Sequence, residues 1–110
     1  MAILKGTLDV LVLKTLSGGP MHAFEVANWL EQRSDGRVSV EDAALLQALR
    51  RMEVRGLLTA EWRTTKHARR ARYYRLTVLG KSRLRAESSK LADHVEALSL
   101  ILASRVPSRS

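Results

Sequence analysis

The run from Arg69 to Thr77 alternates arginines with residues that favour a pleated surface, and it ends at a threonine suited to cap a helix. This pattern predicts one strand over residues 72–76, paired in a hairpin with a second strand over residues 57–63. Residues 64–71 then form the basic tip of the hairpin. A basic hairpin of this kind is suited to lie along a polyanion, and nucleic acid is the commonest one.

The positive charge of the chain is concentrated in one segment. The chain has 19 Lys and Arg against 11 Asp and Glu, which gives a formal net charge of +8. Residues 50–85 hold ten Arg and two Lys against Glu53 and Glu61, a net charge of +10, so the remainder is slightly acidic. Such a patch favours neutralisation of several phosphates with release of their counterions. The other interpretation is a solvated basic face that aids solubility, but such faces usually mix both signs of charge.

Length and composition exclude several classes of protein. A chain of 110 residues fits one domain, and the absence of cysteine excludes disulfides and thiolate metal sites. The first residues do not resemble a signal peptide, and the apolar stretches are far shorter than the roughly 18 residues of a membrane span. We therefore expect a soluble, cytoplasmic protein without membrane contact.

Chemistry-bearing motifs are also missing from the sequence. The three histidines, His22, His67 and His94, are too scattered for a metal site. There is no glycine-rich phosphate loop, no nucleophile motif and no carboxylate pair placed for acid–base work. We expect no metal, no cofactor and no enzymatic activity.

Three helical patterns precede the hairpin, over residues 3–17, 22–33 and about 41–55. The first is apolar on most of its circumference, so it must be covered from two directions, of which its own domain can supply one and a second subunit the other. Before the third, Ser39 and Asp42 nearly match a capping box. The inward positions of the third helix are Leu45, Ala48, Leu49 and Met52. Its opposite side carries Ala43, Gln47, Arg50, Arg51 and Val54.

The last predicted helix runs from a cap at Thr77 to about Ser104, which is long for a domain this small. Its apolar residues repeat at steps of 7, 4, 3 and 4, a heptad seam that a lone helix cannot bury: Leu84, Leu91, Val95, Leu98 and Leu102. The fold class is therefore mainly α with a small β-hairpin, the layout of a winged helix-turn-helix. We predict a winged helix-turn-helix DNA-binding domain over 1–77, a C-terminal dimerisation helix over 78–104 and a flexible tail over 105–110.

Four motifs in this order are similar to those of the PadR family of bacterial transcriptional regulators: Leu4-Lys5-Gly6-Thr7-Leu8-Asp9, Gly19-Pro20-Met21-His22, residues 45–53 and residues 69–77. The resemblance covers about residues 3–102, and the one C-terminal helix resembles the short branch of the family. It implies a homodimer held by the first and last helices, which binds a near-palindromic operator in double-stranded DNA and usually represses an adjacent gene. Many members respond to phenolic or other hydrophobic small molecules in or near the dimer interface.

The third helix departs from the family pattern. Where the family commonly has Ser-Leu-Tyr-Pro-Ala-Leu, this chain has residues 44–49, so the serine and tyrosine that often touch DNA are Ala44 and Leu46 here. We predict that Gln47, Arg50 and Arg51 are the substitute base readers. Gln can address adenine at two atoms and Arg can address guanine at two, and each such pair gives about 1–3 kcal/mol of discrimination.

The remaining site predictions concern phosphates and the dimer. The expected phosphate contacts are His22 at the start of the second helix and five basic residues of the hairpin: Arg63, Lys66, Arg69, Arg70 and Arg72. The expected dimer interface consists of Leu4, Leu8, Leu11, Leu84, Leu91, Val95, Leu98 and Leu102.

The aromatic residues have predicted positions relative to the core. Trp29 and Trp62 are expected to pack at the edges of the core, and Tyr73 and Tyr74 to place one ring inward and one outward.

Two other functions fit the same scaffold. One is a protein-interaction module that docks its basic face on an acidic protein, and the other is a small-molecule-binding dimer.

Overall fold

The computed structural model describes residues 5–108, which form four helices and a three-stranded antiparallel sheet of order β1-β3-β2. The predicted fold class, mainly α with a hairpin in a winged helix-turn-helix, is confirmed. The elements are α1 (Lys5–Leu16), β1 (Met21–His22), α2 (Ala23–Arg33), α3 (Asp42–Val54), β2 (Leu58–Thr64), β3 (Arg70–Leu76) and α4 (Val78–Ala103).

The hairpin of β2 and β3, called the wing below, is longer than the sequence predicts. Its register runs from Leu58 opposite Leu76 to Thr64 opposite Arg70, so the tip shrinks to residues 65–69. The tip is closed by backbone hydrogen bonds, and Ala68 adopts a φ of 59° in the left-handed region. The two-residue strand β1 was not predicted, because two residues are too few for a periodic signal. It pairs with β3 opposite Tyr73 and Tyr74.

The core lies between α1, α2, α3 and the base of the wing. Its largest fully buried side chains come from all of these elements: Val12, Leu13, Leu16, Val26, Leu45, Leu49, Met52 and Leu58. The four inward positions predicted on α3 are all buried. Burial of each such side chain stabilises the fold by about 1.5–3 kcal/mol relative to exposure, so α3 is firmly anchored by one face.

The capping box expected before α3 is not formed. The helix begins at Asp42 with Glu41 as its N-cap residue, and no side chain caps it. A box formed by Ser39 and Asp42 needs Ser39 at the N-cap position itself. Ser39 lies two residues too early in the chain to fill that position.

Two features fix the start of α4 against the rest of the domain. Thr77 caps the helix as predicted, since its Oγ1 accepts a hydrogen bond from the Gly80 N–H at 3.0 Å and donates to the Gly56 carbonyl at 2.6 Å. Gly80 itself is buried, and a Cβ atom there would stand 2.1 Å from the Leu57 carbonyl oxygen. Only glycine allows this close approach of helix and backbone.

The second half of α4 projects away from the domain, which is why the molecule measures 68 × 28 × 21 Å. Near its start, α4 packs against α1, and Leu84 and Leu91 of the predicted seam are partly buried. Farther along, the apolar residues are exposed, up to 84% for Leu102. Val95, Leu98, Ile101 and Leu102 share one side of the helix, called the α4 apolar face below, and Leu100 is exposed on the opposite side.

The α1 residues that were predicted at the dimer interface differ in their burial. Leu4 lies outside the described residues. Leu8 is buried in the core of the protomer itself, which leaves little of it for a second subunit, and Leu11 is partly buried beside that core.

No helix within residues 5–108 is long and apolar enough to cross a membrane.

Candidate nucleic-acid interface

An open groove of about 1330 Å³ lies between α2, α3 and the wing. It brings together basic residues that are up to 50 positions apart in the chain. The predicted DNA-binding residues that line it are His22, Arg50, Lys66, Arg69, Arg70 and Arg72. Gln47, Arg51 and Arg63 are not among its lining residues.

The exposed face of α3 carries Ala43, Leu46, Gln47, Arg50 and, at the end of the helix, Val54. It lies opposite the buried face of the same helix, so it is the surface that α3 presents outward. Gln47 and Arg50 are therefore exposed as predicted. Leu46 and Arg50 also line the groove, so the exposed face of α3 is continuous with it.

Arg51 is not on that exposed face, contrary to the sequence prediction. It is partly buried, and its Nη2 donates to Oδ1 of Asp9 in α1. The side chains of Arg51 and Asp9 are 22% and 23% exposed, so solvent screens this pair only in part. The bond joins α3 to α1, and in this arrangement Arg51 positions the helix instead of projecting from it.

A second ion pair joins α3 to the wing. Arg72 on β3 donates from Nη2 to Oε2 of Glu53 at 2.7 Å. Arg72 lines the groove as predicted, but this carboxylate balances its charge. The pair holds the wing at a fixed place relative to α3.

The alternation of side chains along the wing separates its basic residues onto two faces. Trp62 pairs with Arg72 and Thr64 pairs with Arg70, so these residues share the face that leads from the core into the groove. Arg63 pairs with Ala71 on the other face, next to Tyr73. It also forms an ion pair with Glu61. The expectation that one concave surface holds all the basic groups is therefore wrong for Arg63.

Four cations of the groove remain available for a ligand. Arg50, Lys66, Arg69 and Arg70 are exposed, and none of them has an ion-pair partner within residues 5–108. Three belong to the wing or its tip and one to α3. The arrangement places uncompensated positive charge on both sides of the groove, as an anionic ligand requires.

The tryptophans differ in environment. Trp29 packs against the core as predicted. Trp62 does not, since it is 59% exposed and lies under the guanidinium of Arg70, with 5.5 Å between Cζ and the ring centroid. Trp62 is too near the tip to reach the core, so it gives the groove an aromatic surface capped by a cation.

His22 has a local structural role that the sequence did not reveal. It is the N-cap residue of α2, where Nδ1 accepts a hydrogen bond from the Glu25 N–H at 3.3 Å. Glu25 in turn accepts one from the His22 N–H at 3.1 Å, which completes a capping box. The ring also meets Tyr73 edge-on at 5.2 Å. The contact of His22 with phosphate stays a prediction.

The tyrosine pair behaves as predicted. Tyr74 is buried in the core, and Tyr73 lies on the other face of β3 between His22 and Arg63. The two rings therefore lie on opposite faces of β3, and the basic residues of the strand alternate between the same two faces.

The sequence profile of the transcriptional regulator PadR-like family matches residues 12–86, which include α3 and the wing. The chain belongs to this family. Its resemblance to PadR regulators, inferred from four motifs, is thereby confirmed.

Three known proteins are similar to this chain over most of its length. A PadR family transcriptional regulator from Eggerthella lenta is 28% identical, with a TM-score of 0.74 over 91% of this chain and 85% of that one. A PadR-like regulator from Bacillus cereus shares the fold with a TM-score of 0.79 at 19% identity, over 93% of this chain and 97% of that one. An uncharacterised protein from Lysinibacillus sphaericus is 23% identical over 91% of this chain and 92% of its own length.

The PadR-like match extends through the start of α4 and ends at residue 86. It therefore includes the capped and buried start of the helix at Thr77 and Gly80, but not the α4 apolar face. As a member of this family, the chain is a DNA-binding transcriptional regulator.

Proposed function

We propose that this PadR-like protein is a homodimeric repressor that binds a near-palindromic DNA operator and is released by a small hydrophobic or phenolic effector. One observation carries the DNA-binding part of the proposal: the unpaired cations of the wing face the exposed side of α3 across one groove. Repression and the effector are supported by membership of the family.

The two sides of the groove have different tasks. The exposed face of α3 enters the major groove, where Gln47 and Arg50 reach base edges. Lys66, Arg69 and Arg70 of the wing contact flanking phosphates, which adds affinity without sequence choice. Arg51 and Arg72 act indirectly, because their ion pairs with Asp9 and Glu53 hold α3 between α1 and the wing.

The dimer is supported by the α4 apolar face. Large exposed apolar surfaces on soluble proteins usually mark an interaction site. The seam residues Val95, Leu98 and Leu102 are exposed at heptad spacing, and a second α4 offers the same seam for knobs-into-holes packing. A two-fold dimer then presents two α3 helices to half-sites about 34 Å apart, one turn of the duplex.

Selection of bound duplexes from a random pool tests the proposal. The expected result is a two-fold consensus with half-site centres about 10 base pairs apart. Enrichment of a single half-site would contradict the dimer. Failure to enrich any sequence would contradict operator binding and would favour an acidic protein as the partner of the basic groove.

The effector part has a separate test. Trp29 and Trp62 both line the groove, so aromatic compounds that bind there or change its shape alter tryptophan fluorescence. A library of phenolic acids is titrated into the protein, and each hit is added to the protein–operator complex. Compounds that quench fluorescence and release DNA support the proposal, whereas release by none of them contradicts it.

A further inference from the structure

The exposed face of α3 carries a large apolar side chain near its middle. Leu46 is 41% exposed, whereas its neighbour Leu45 is 1% exposed in the core. Since Leu46 also lines the groove, its exposed surface faces the same space as Arg50 and the wing. Neither the core nor the α4 apolar face accounts for an apolar residue at this place.

We infer that Leu46 recognises the C5-methyl group of a thymine in the major groove, an inference that rests on the proposed operator binding. The thymine methyl is the apolar group that base pairs present on their major-groove edges. An exposed leucine on a helix that enters this groove therefore gains free energy at thymine, and it has no favourable polar contact to make at the other bases.

The residue beside Leu46 points to the same base pair type. Gln47 follows Leu46 on the exposed face of α3, and a glutamine side chain pairs with N6 and N7 of adenine. One residue thus addresses the adenine and the other the thymine methyl of the same or an adjacent A·T pair. The two contacts together give the centre of each half-site an A·T preference.

The spacing of the exposed residues along α3 limits how many base pairs their side chains can contact. Ala43 and Arg50 are seven residues apart, which is about 10.5 Å along a helix. At about 3.4 Å for each base pair, the segment from Ala43 to Arg50 covers roughly three base pairs. Arg50 lies one helical turn beyond Leu46, and Arg51 is held by Asp9. The guanine expected for Arg50 is therefore within about two base pairs of the thymine.

Deoxyuridine substitution tests this inference, because it removes the thymine methyl and changes nothing else in the base pair. The selected duplex is synthesised with deoxyuridine in place of each thymine in turn, and its Kd for the wild-type protein is measured. At one thymine position in each half-site we expect weakening of about fourfold per half-site, the loss for one buried methyl group. The other thymine positions should show no comparable loss.

Two variants identify the residue responsible. Leu46→Ala should bind the thymine and deoxyuridine duplexes equally, because the partner of the methyl group is gone. Val54→Ala is the matched control, since Val54 is an exposed apolar residue at the far end of α3 and should keep the full deoxyuridine effect. Circular dichroism confirms that both variants fold, and the deoxyuridine series on wild-type protein needs no variant.

The outcomes separate this inference from the proposal beneath it. If wild-type protein selects an operator but binds every deoxyuridine duplex as tightly as the parent, the role of Leu46 is refuted while operator binding stands. If Leu46→Ala keeps the full deoxyuridine penalty, another residue reads the methyl group and the inference is also refuted. If wild-type protein selects no duplex, both the inference and the proposed function fail.

Discussion

The salt dependence of DNA binding gives a quantitative test of the groove. The double variant Arg69→Ala with Arg70→Ala removes two of the four unpaired groove cations in each protomer. Both side chains are exposed and lie at the tip or outer end of the wing, so their removal leaves the core intact. The fold should therefore stay unchanged while phosphate contacts are lost.

The magnitude follows from counterion release. Each phosphate neutralised on duplex DNA contributes about −0.9 to the slope of log K against log salt concentration. Three phosphate-contacting cations per protomer, Lys66, Arg69 and Arg70, give a dimer a slope of about −5.4, and the double variant should reduce it to about −1.8. Raising the salt from about 50 to 200 mM lowers the affinity of both proteins for DNA. The fold loss of affinity should be roughly 150 times smaller for the variant than for the wild type.

Fluorescence anisotropy with a labelled random duplex measures both slopes. The matched control is Arg83→Ala with Arg85→Ala, which removes the same charge from exposed positions on α4 that do not line the groove. The control should keep a slope close to about −5.4. Equal slopes for the wild type and the wing variant, or equal losses in the wing variant and the control, would refute the assignment of phosphate contacts to the wing.

Three further predictions concern the scaffold. Gly80→Ala should lower the free energy of unfolding by about 1–3 kcal/mol in urea denaturation, because its Cβ would stand 2.1 Å from the Leu57 carbonyl oxygen; an unchanged midpoint would contradict the close approach. Leu98→Asp should dissociate the dimer in sedimentation equilibrium, since it places a charge in the α4 apolar face, and a dimer of unchanged affinity would exclude this face as the interface. Glu53→Gln should steepen the salt slope by up to about 1 per protomer, because it frees Arg72 from its ion pair. An unchanged slope would show that Arg72 does not reach phosphate.

Local patterns in the sequence predicted most of the fold. The bounds of α2, α3 and α4 follow from apolar periodicity and from turn and cap residues, and Thr77 caps α4 as expected. The opposite orientation of Tyr73 and Tyr74 follows from the two-residue period of a strand. These features depend on residues near one another in the chain, which a sequence displays directly.

The errors arise where a contact joins distant residues. Arg51 was placed on the exposed face of α3 with Arg50, but it is partly buried against Asp9, which is 42 positions earlier in the chain and lies on another helix. Trp62 looked like a packing residue because of its size, yet its distance from the base of the wing leaves it exposed. Arg63 is placed on the other face of the wing by the register with β3, which composition does not specify.

Site-directed cleavage of DNA tests the docking of α3 and the wing most directly. The chain has no cysteine, so Ala43→Cys or Lys66→Cys provides one attachment point for an iron chelate that cleaves nearby DNA. We predict that the chelate at position 43 cuts at the centre of each half-site, in two clusters about 10 base pairs apart. At position 66 the cuts should fall in the flanking duplex, displaced from those clusters. Coincident cleavage from both positions, or uniform cleavage along the operator, would contradict the arrangement proposed for α3 and the wing.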